Sequence, residues 1–460
     1  MKINAGLTPK KLGPKLDRVF ELAATKVAAL DKDWDPSRGT PVFTIQGRYT
    51  SRGWTEWTQG FQFGNAILVF DATGDEAFLK LGRERTVKHM ASHVSHIGVH
   101  DHGFNNVSTY GNLRRLMLEG RVPYDRGELD FYELALKVSG AVQAARWSTT
   151  AYGTGYIYSF NGPHSLFSDT IRSLRALVVA DRLGHALMGE GDKPINLLAR
   201  AAEHAKTTAR FNVYYGEGRD SYDVSGRVVH ESIFNRNDGA YRCPSTQQGY
   251  TPFSTWTRGA AWIICGAAEQ LEFLQTLKQS DFEAAGPGAG SRRELEAVLL
   301  RMALATSDHY IENYSCRDGI PYWDDGAPNL YRLGDYTKKA SDPFNQWEPV
   351  DSSAAAIAAQ GFIRLGNYLA TKGDKRASRY LQAGLTATAT LCEEPYLSTD
   401  KKHQGLLLHS VYHRPNGWDH VPKGKKVPCG ESCMWGDYHL LELALLVKRM
   451  ASGGEYPTFF

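Results

Sequence analysis

Apolar residues return at every third and fourth position along most of the chain, the spacing that lines one face of an α-helix. The first stripe is Leu16, Val19, Phe20, Leu22, Ala23 and Val27. Further stripes predict helices over roughly 57–72, 75–94, 104–119, 130–147, 167–188 and 192–211, then 254–277, 291–314, 351–370, 373–392 and 434–450. The punctuation agrees with this. Thr73-Gly74-Asp75 and Lys372-Gly373-Asp374 each offer a glycine to end one helix and an aspartate to cap the next. Long helices alternating with short Gly-Asp turns describe stacked helical hairpins. About a dozen of them predict an all-α chain forming one (α/α)6 barrel, or toroid, over residues 1–460, although an open solenoid has the same periodicity.

Strand-like patterning is concentrated in 211–250. Phe211-Asn212-Val213-Tyr214-Tyr215 and Gly226-Arg227-Val228-Val229-His230 flank a glycine-rich turn and predict a small β-hairpin inserted between helices. The connections 148–166, 212–253, 315–350 and 393–433 are longer than ordinary loops. Their tryptophan, tyrosine and histidine content argues for order, so they are expected to crowd one rim of the toroid and build a pocket.

Composition narrows the function. The chain has 460 residues, 42% hydrophobic and 22% charged, ample for a large core. A net charge of +3 gives no reason to expect a nucleic-acid or membrane partner. No apolar run approaches membrane-spanning length. Met1-Lys2-Ile3-Asn4-Ala5-Gly6 lacks a basic-then-apolar signal segment, so the cytoplasm is the expected compartment, or the periplasm if a signal peptide has been removed. The cysteines are scattered without a CxxC, so neither a zinc ribbon nor a disulfide framework is indicated. Nothing in the pattern sets an oligomeric state.

Four stretches carry candidate chemistry. In the first, Asp101 stands between His100 and His102 in a glycine-flanked corner, downstream of His89, His93 and His96. The last three share a helical face and offer a possible metal arrangement, but the acid of an HExxH motif is absent and no metal is expected. Asp101 is either a pocket acid or the cap of the helix beginning near Phe104. In the second, Asp169 precedes Arg172 and Arg175, which would hold it ionised on a shared face; the alternative is again a cap. In the third, Ser254 or Thr255 would cap a helix carrying Arg258 and Trp262, four residues apart. That pair suits a ligand with a carboxylate and a sugar-like apolar face, or it is a cation–π contact within the fold. The fourth, Pro321-Tyr322-Trp323-Asp324-Asp325-Gly326, reads as a rim loop. His409-Ser410 lacks the glycine-rich elbow of a serine hydrolase.

Taken in order, several stretches resemble glycoside hydrolase family 88, the unsaturated glucuronyl hydrolases. They are Trp57-Thr58-Gln59-Gly60-Phe61, Asp71-Ala72-Thr73-Gly74-Asp75, His100-Asp101-His102-Gly103-Phe104, the Asp169 helix, Gln248 to Trp262, Tyr322-Trp323-Asp324, Asp351-Ser352-Ser353-Ala354-Ala355-Ala356, His409-Ser410-Val411 and Gly436-Asp437-Tyr438-His439. The resemblance implies an (α/α)6 barrel that removes the terminal 4,5-unsaturated uronic acid from lyase-generated oligosaccharides by hydrating the C4=C5 vinyl ether, without a cofactor. It implies Asp169 as acid/base and Asp101 as its assistant. Trp57, Trp262, Gln248, Arg258 and, through the hairpin, His230 would bind substrate, with His100, His102 and Arg172 around the pocket. The chain departs from the family pattern at Gln247-Gln248-Gly249, where His-Gln-Gly is usual, and at Arg172 and Arg175, where a Met-Asn pair is usual. The departures point to a more acidic or differently linked substrate. Three alternatives stay open: a family 105-type activity on rhamnogalacturonyl or ulvan fragments, a non-catalytic sugar-binding toroid, and a metal hydrolase using the 89–102 histidines.

Overall fold

The computed structural model describes residues 1–53, 56–454 and 458–459. Its long helices alternate between two concentric rings. The outer ring comprises Pro9–Asp33, Glu76–His89, Arg126–Ala145, Leu197–Phe211, Arg292–His309 and Ala377–Leu391. Each buries one stripe and turns the rest to water; in the first, Leu12, Leu16, Val19, Phe20, Ala23 and Leu30 are buried. The inner ring comprises Gln59–Thr73, 102–118, 170–182, Thr257–Gln275, Ser352–Thr371 and Met434–Ala451. A helix enclosed by other helices must be apolar or internally paired on every side, and Thr257–Gln275 is buried at every position up to Leu274. Each inner helix packs on the next, and Met434–Ala451 packs on Gln59–Thr73, which closes the ring. A solenoid would leave it open. No helix among the described residues is long and apolar enough to cross a membrane.

The inner helices approach one another closely where side chains vanish. A Cβ at Gly60 would lie 2.2 Å from the Asn105 carbonyl oxygen, and one at Gly103 would lie 2.3 Å from that of Ser173. The first and last parts of the chain are also sewn together. The Pro41–Ile45 and Arg48–Ser51 strands form an antiparallel hairpin, Phe43 bridges to Cys433, and Leu408 bridges to Ser432.

One local expectation is narrowed and another corrected. The 211–230 hairpin forms as a short one: Val213 and Val228 meet in an antiparallel bridge, the Tyr214 amide donates to the Arg227 carbonyl at 3.0 Å, and the Gly226 and Val229 amides donate to the Tyr214 and Asn212 carbonyls, both at 2.9 Å. Asp223 accepts from the amides of Gly216, Glu217 and Arg219 and rounds the intervening loop into a compact turn. A three-stranded sheet lies in the same region: Ser165–Phe167, Glu231–Phe234 and Tyr241–Ser245 in that spatial sequence, all antiparallel. Second, Asp75 caps its helix as expected, but Asp374 sits before the helix that starts at Ala377 and bonds the Arg376 amide instead.

Candidate active site

Asp101 and Asp169 both occupy the position where a capping side chain would fold back onto its helix, and neither does so. The carboxylates are left for the cavity. Asp169 lies two residues beyond the end of strand Ser165–Phe167 and is fixed there by the intervening Ser168 amide, which donates to the His230 carbonyl at 2.8 Å. Asp101 ends the turn that leads into the 102–118 helix. His100 Nε2 lies 3.2 Å from Asp169 Oδ1 and 3.7 Å from Asp101 Oδ1. Through that shared nitrogen the two carboxylate oxygens are within about 7 Å of each other, a separation at which two acids can act on one sugar.

The three groups titrate as neighbours. Burial opposes the His100 imidazolium, but Asp101 and Asp169 outweigh it and raise its pKa. Burial pushes Asp101 up to about 6, with the Asp169 charge adding to the effect and His100 and Arg146 opposing it. Burial acts the same way on Asp169, yet the His100 charge and hydrogen bond prevail and hold it below the usual carboxylate range. Asp169 is thus held in its charged form against His100, while Asp101 keeps its proton to higher pH than an ordinary carboxyl.

The backbone beneath them is clamped. The His100 carbonyl accepts from Gln143 Nε2 and Ser173 Oγ, both at 2.7 Å. Arg146 reaches three carbonyls, those of Ile97, Tyr158 (3.2 Å) and Ser159 (2.7 Å), and so ties the Asp101 turn to the 158–159 loop.

These groups open into a cavity of ≈ 430 Å³, within the range of small-molecule sites. Trp57, Phe104, Phe160, Phe167, Trp256, Trp262, Tyr412 and Trp418 supply aromatic wall, and Gln247, Gln248, Arg258, His413 and Asn416 supply polar wall. Trp57 stacks on Trp435 at 5.0 Å, which presets its plane. Arg258 bonds Asp351 and Tyr412 O at 2.8 Å, Gln248 Oε1 at 2.7 Å and the Val411 carbonyl. Its guanidinium thus orients Gln248 and anchors the 411–412 segment. The helix that carries it has no side-chain cap, so neither Ser254 nor Thr255 serves as one. Asp325 Oδ1 takes the Thr255 amide at 2.6 Å, and Asp324, pushed up to about 7 by burial, takes the Tyr250 amide at 2.7 Å.

Asp101, Asp169, Trp57, His100, Gln248, Arg258 and Trp262 converge on this cavity. Three other expected contacts do not line it. Arg172 is fully buried in an ionic belt below, bonding Glu442 Oε2 at 2.9 Å and lying 3.0 Å from Glu269, with Arg175 beside it. Positions three and six after Asp169 point inward from the helix, so His100 rather than either arginine faces the carboxylate. His102 is spent on Ser139 Oγ at 3.0 Å and the His96 carbonyl at 2.9 Å, and burial lowers it to about 4. His230 lies behind the wall, against Phe167 and Trp256. Its Nδ1 accepts from the Gln247 and Gln248 amides, so the neutral ring carries its proton on Nε2, a buried nitrogen with no hydrogen-bond partner among the described residues. Among those residues no three His, Cys, Asp or Glu side chains group as a metal site; His93 Nδ1, for instance, pairs with Asn105 at 3.2 Å.

Arg146, Phe160, Tyr412 and Trp418 escaped the sequence reading as individuals. Phe160 stacks over His100 at 6.5 Å with ring planes 15° apart. Only the aromatic content of loops 148–166 and 393–433 signalled such residues. Arg146 carried no local signal, because its three partners come from two distant turns.

Two carboxylates around one imidazole, set in an aromatic cavity at one end of a double helical ring, make an (α/α)6 site suited to acid–base chemistry on a sugar. Known proteins agree with this reading. No family model matches the chain. It is 26% identical over 391 residues to the unsaturated glucuronyl hydrolase of Formosa agariphila, spanning 84% of this chain and 78% of that one. It is also 26% identical over 424 residues to the unsaturated glucuronyl hydrolase of Bacillus sp. strain GL1, spanning 89% and 90%. The crystal structure of the Bacillus sp. GL1 enzyme is similar with a TM-score of 0.68 at 22% identity, over 95% of this chain and 98% of that chain. The chain is thus similar to unsaturated glucuronyl hydrolases, the proteins its sequence resembles.

Proposed function

We propose that the protein removes a terminal 4,5-unsaturated uronic acid from lyase-generated oligosaccharides by hydrating the C4=C5 double bond. The observation that carries this reading is His100 Nε2, poised 3.2 Å from Asp169 and 3.7 Å from Asp101 inside a sugar-sized aromatic cavity. A vinyl ether needs a proton at C4 and a water oxygen at C5. In the free site Asp169 is ionised and hydrogen-bonded to His100. The uronate carboxylate brings a further negative charge, which disfavours a carboxylate beside it and draws the proton from His100 onto Asp169. Asp169 then protonates C4 and takes a proton back from the water that bonds to C5. Asp101, neutral below about pH 6, limits the negative charge that gathers around the developing cation. The hemiketal at C5 opens to a ketone, C1 becomes an aldehyde, and the next sugar leaves as the free alcohol. One water is consumed.

The test follows the ultraviolet absorbance of the conjugated alkene in lyase-derived oligosaccharides. Loss of absorbance is expected, and it should fall by about 10² to 10⁴ in rate for Asp169→Asn with binding retained. Persistent absorbance across glucuronyl and galacturonyl panels with folded protein would overturn the reading, and full activity of Asp169→Asn would remove that residue from the mechanism.

A further inference from the structure

Resting on that reading, we infer that the sugar joined to the unsaturated uronate is uncharged: the cavity takes one anion, the uronate carboxylate, and rejects a sulfated or second acidic sugar. The reason is that its charges are already spent. Among the described residues the wall carries one arginine and no lysine. That arginine, Arg258, is buried and holds Asp351, Gln248 and two backbone carbonyls. The His100 imidazolium is set against Asp169, and Asp101 adds a second acid within the same few ångströms. The uronate carboxylate already draws on Arg258 and His100, so a sulfate beside it would lose its hydration, find no further arginine or lysine on the wall, and face two carboxyl groups. A buried charge without a partner is among the costliest arrangements in a protein.

The rest of the wall suits a neutral pyranose. Trp57, Phe160, Trp262 and Trp418 offer ring surface to the C–H faces of a sugar. His413 offers polar contact without charge, since burial lowers it to about 4. Arg52 lies over the outer wall residue Trp418, 3.9 Å from the ring centroid, and is not itself a lining residue. Arg172 and Arg175, the cations that suggested an acidic substrate from sequence, belong to the buried belt with Glu269 and Glu442.

The experiment compares initial rates of alkene loss on unsaturated disaccharides that differ only in the second sugar: unsulfated, 4-sulfated and 6-sulfated. The unsulfated substrate is expected to show a kcat/KM at least about tenfold above either sulfated one, equivalent to about 1.4 kcal/mol. Equal or higher kcat/KM on a sulfated substrate overturns this inference and leaves the hydration reading standing. No alkene loss from any of them overturns both. Asn416→Lys puts a cation on the wall and should raise the sulfated rate more than the unsulfated one; an equal effect on both counts against the inference.

Discussion

Replacing Gly103 with alanine tests whether the closeness of two inner helices sets the geometry of the site. The added Cβ would lie 2.3 Å from the carbonyl oxygen of Ser173 and 2.7 Å from its carbonyl carbon and Cα. These are backbone atoms, so no side chain can rotate away. Ordinary contact begins near 3.4 Å, so the 102–106 and 170–173 segments must part by about 1 Å. The parting also stretches the Gly103 amide bond to Ser173 Oγ (3.0 Å) and the Arg175 bond to the Gly103 carbonyl (2.7 Å). Asp101 precedes the first segment and Asp169 the second, so the displacement falls on the spacing of Asp101, His100 and Asp169. A misplacement of about 1 Å at a reacting centre costs about a hundredfold in rate, and overpacking of a core costs about 1–3 kcal/mol. Gly103→Ala should therefore lose about a hundredfold in kcat/KM, read by alkene absorbance, and melt a few degrees lower while keeping its circular dichroism. Wild-type kcat/KM with an unchanged melting temperature would refute the argument. A lower melting temperature with unchanged kcat/KM would show that the parting is absorbed away from the site.

Other perturbations separate the roles of the surrounding groups. Asp101 helps raise the His100 pKa, so Asp101→Asn should lower it and move the alkaline limb of the kcat/KM profile to lower pH; a limb that stays in place removes His100 from the titration. Arg146 lowers the Asp101 pKa, so Arg146→Gln should let Asp101 keep its proton to higher pH and should raise KM by freeing the 158–159 loop. Arg146→Lys should restore the pH midpoint and leave KM raised, a split that general destabilisation does not produce. Arg172→Met takes from the buried Glu269 and Glu442 the nearer of their two arginines and should cost about 3–5 kcal/mol in denaturant unfolding with KM unchanged in folded protein. Unchanged stability with a raised KM would return Arg172 to a role in substrate binding.

The helical alternation was legible because burial repeats with the period of the helix, and each ring leaves its own mark. Outer helices show one apolar stripe, while inner helices such as Ser352–Thr371 are apolar and small on nearly every side. Asp101 and Asp169 were legible as carboxylates at helix starts. What the sequence could not supply was direction. Arg172 sits at the spacing that should share a face with Asp169, yet the helix turns that face toward Glu269 and Glu442. His102 looked like a twin of His100 until Ser139 and the His96 carbonyl claimed both of its nitrogens. Arg146, Phe160 and Trp418 matter through partners far away in the chain, and periodicity carries no information about such pairs. The hairpin at 211–230 was legible from its alternation, but not its length: pairing runs only between 212–214 and 226–229, and Asp223 gathers the amides of the intervening loop.

The ring closes late. Trp57 comes from the first inner helix's approach and Trp418 from the loop before the last one, and the Phe43–Cys433 bridge joins the two regions. Ribosomal synthesis delivers these partners more than three hundred residues apart, so a chain can hold most of its helices while its cavity still lacks a wall. Helix content and enzymatic competence should therefore appear at different times during refolding, the second reporting the moment at which the circle is joined.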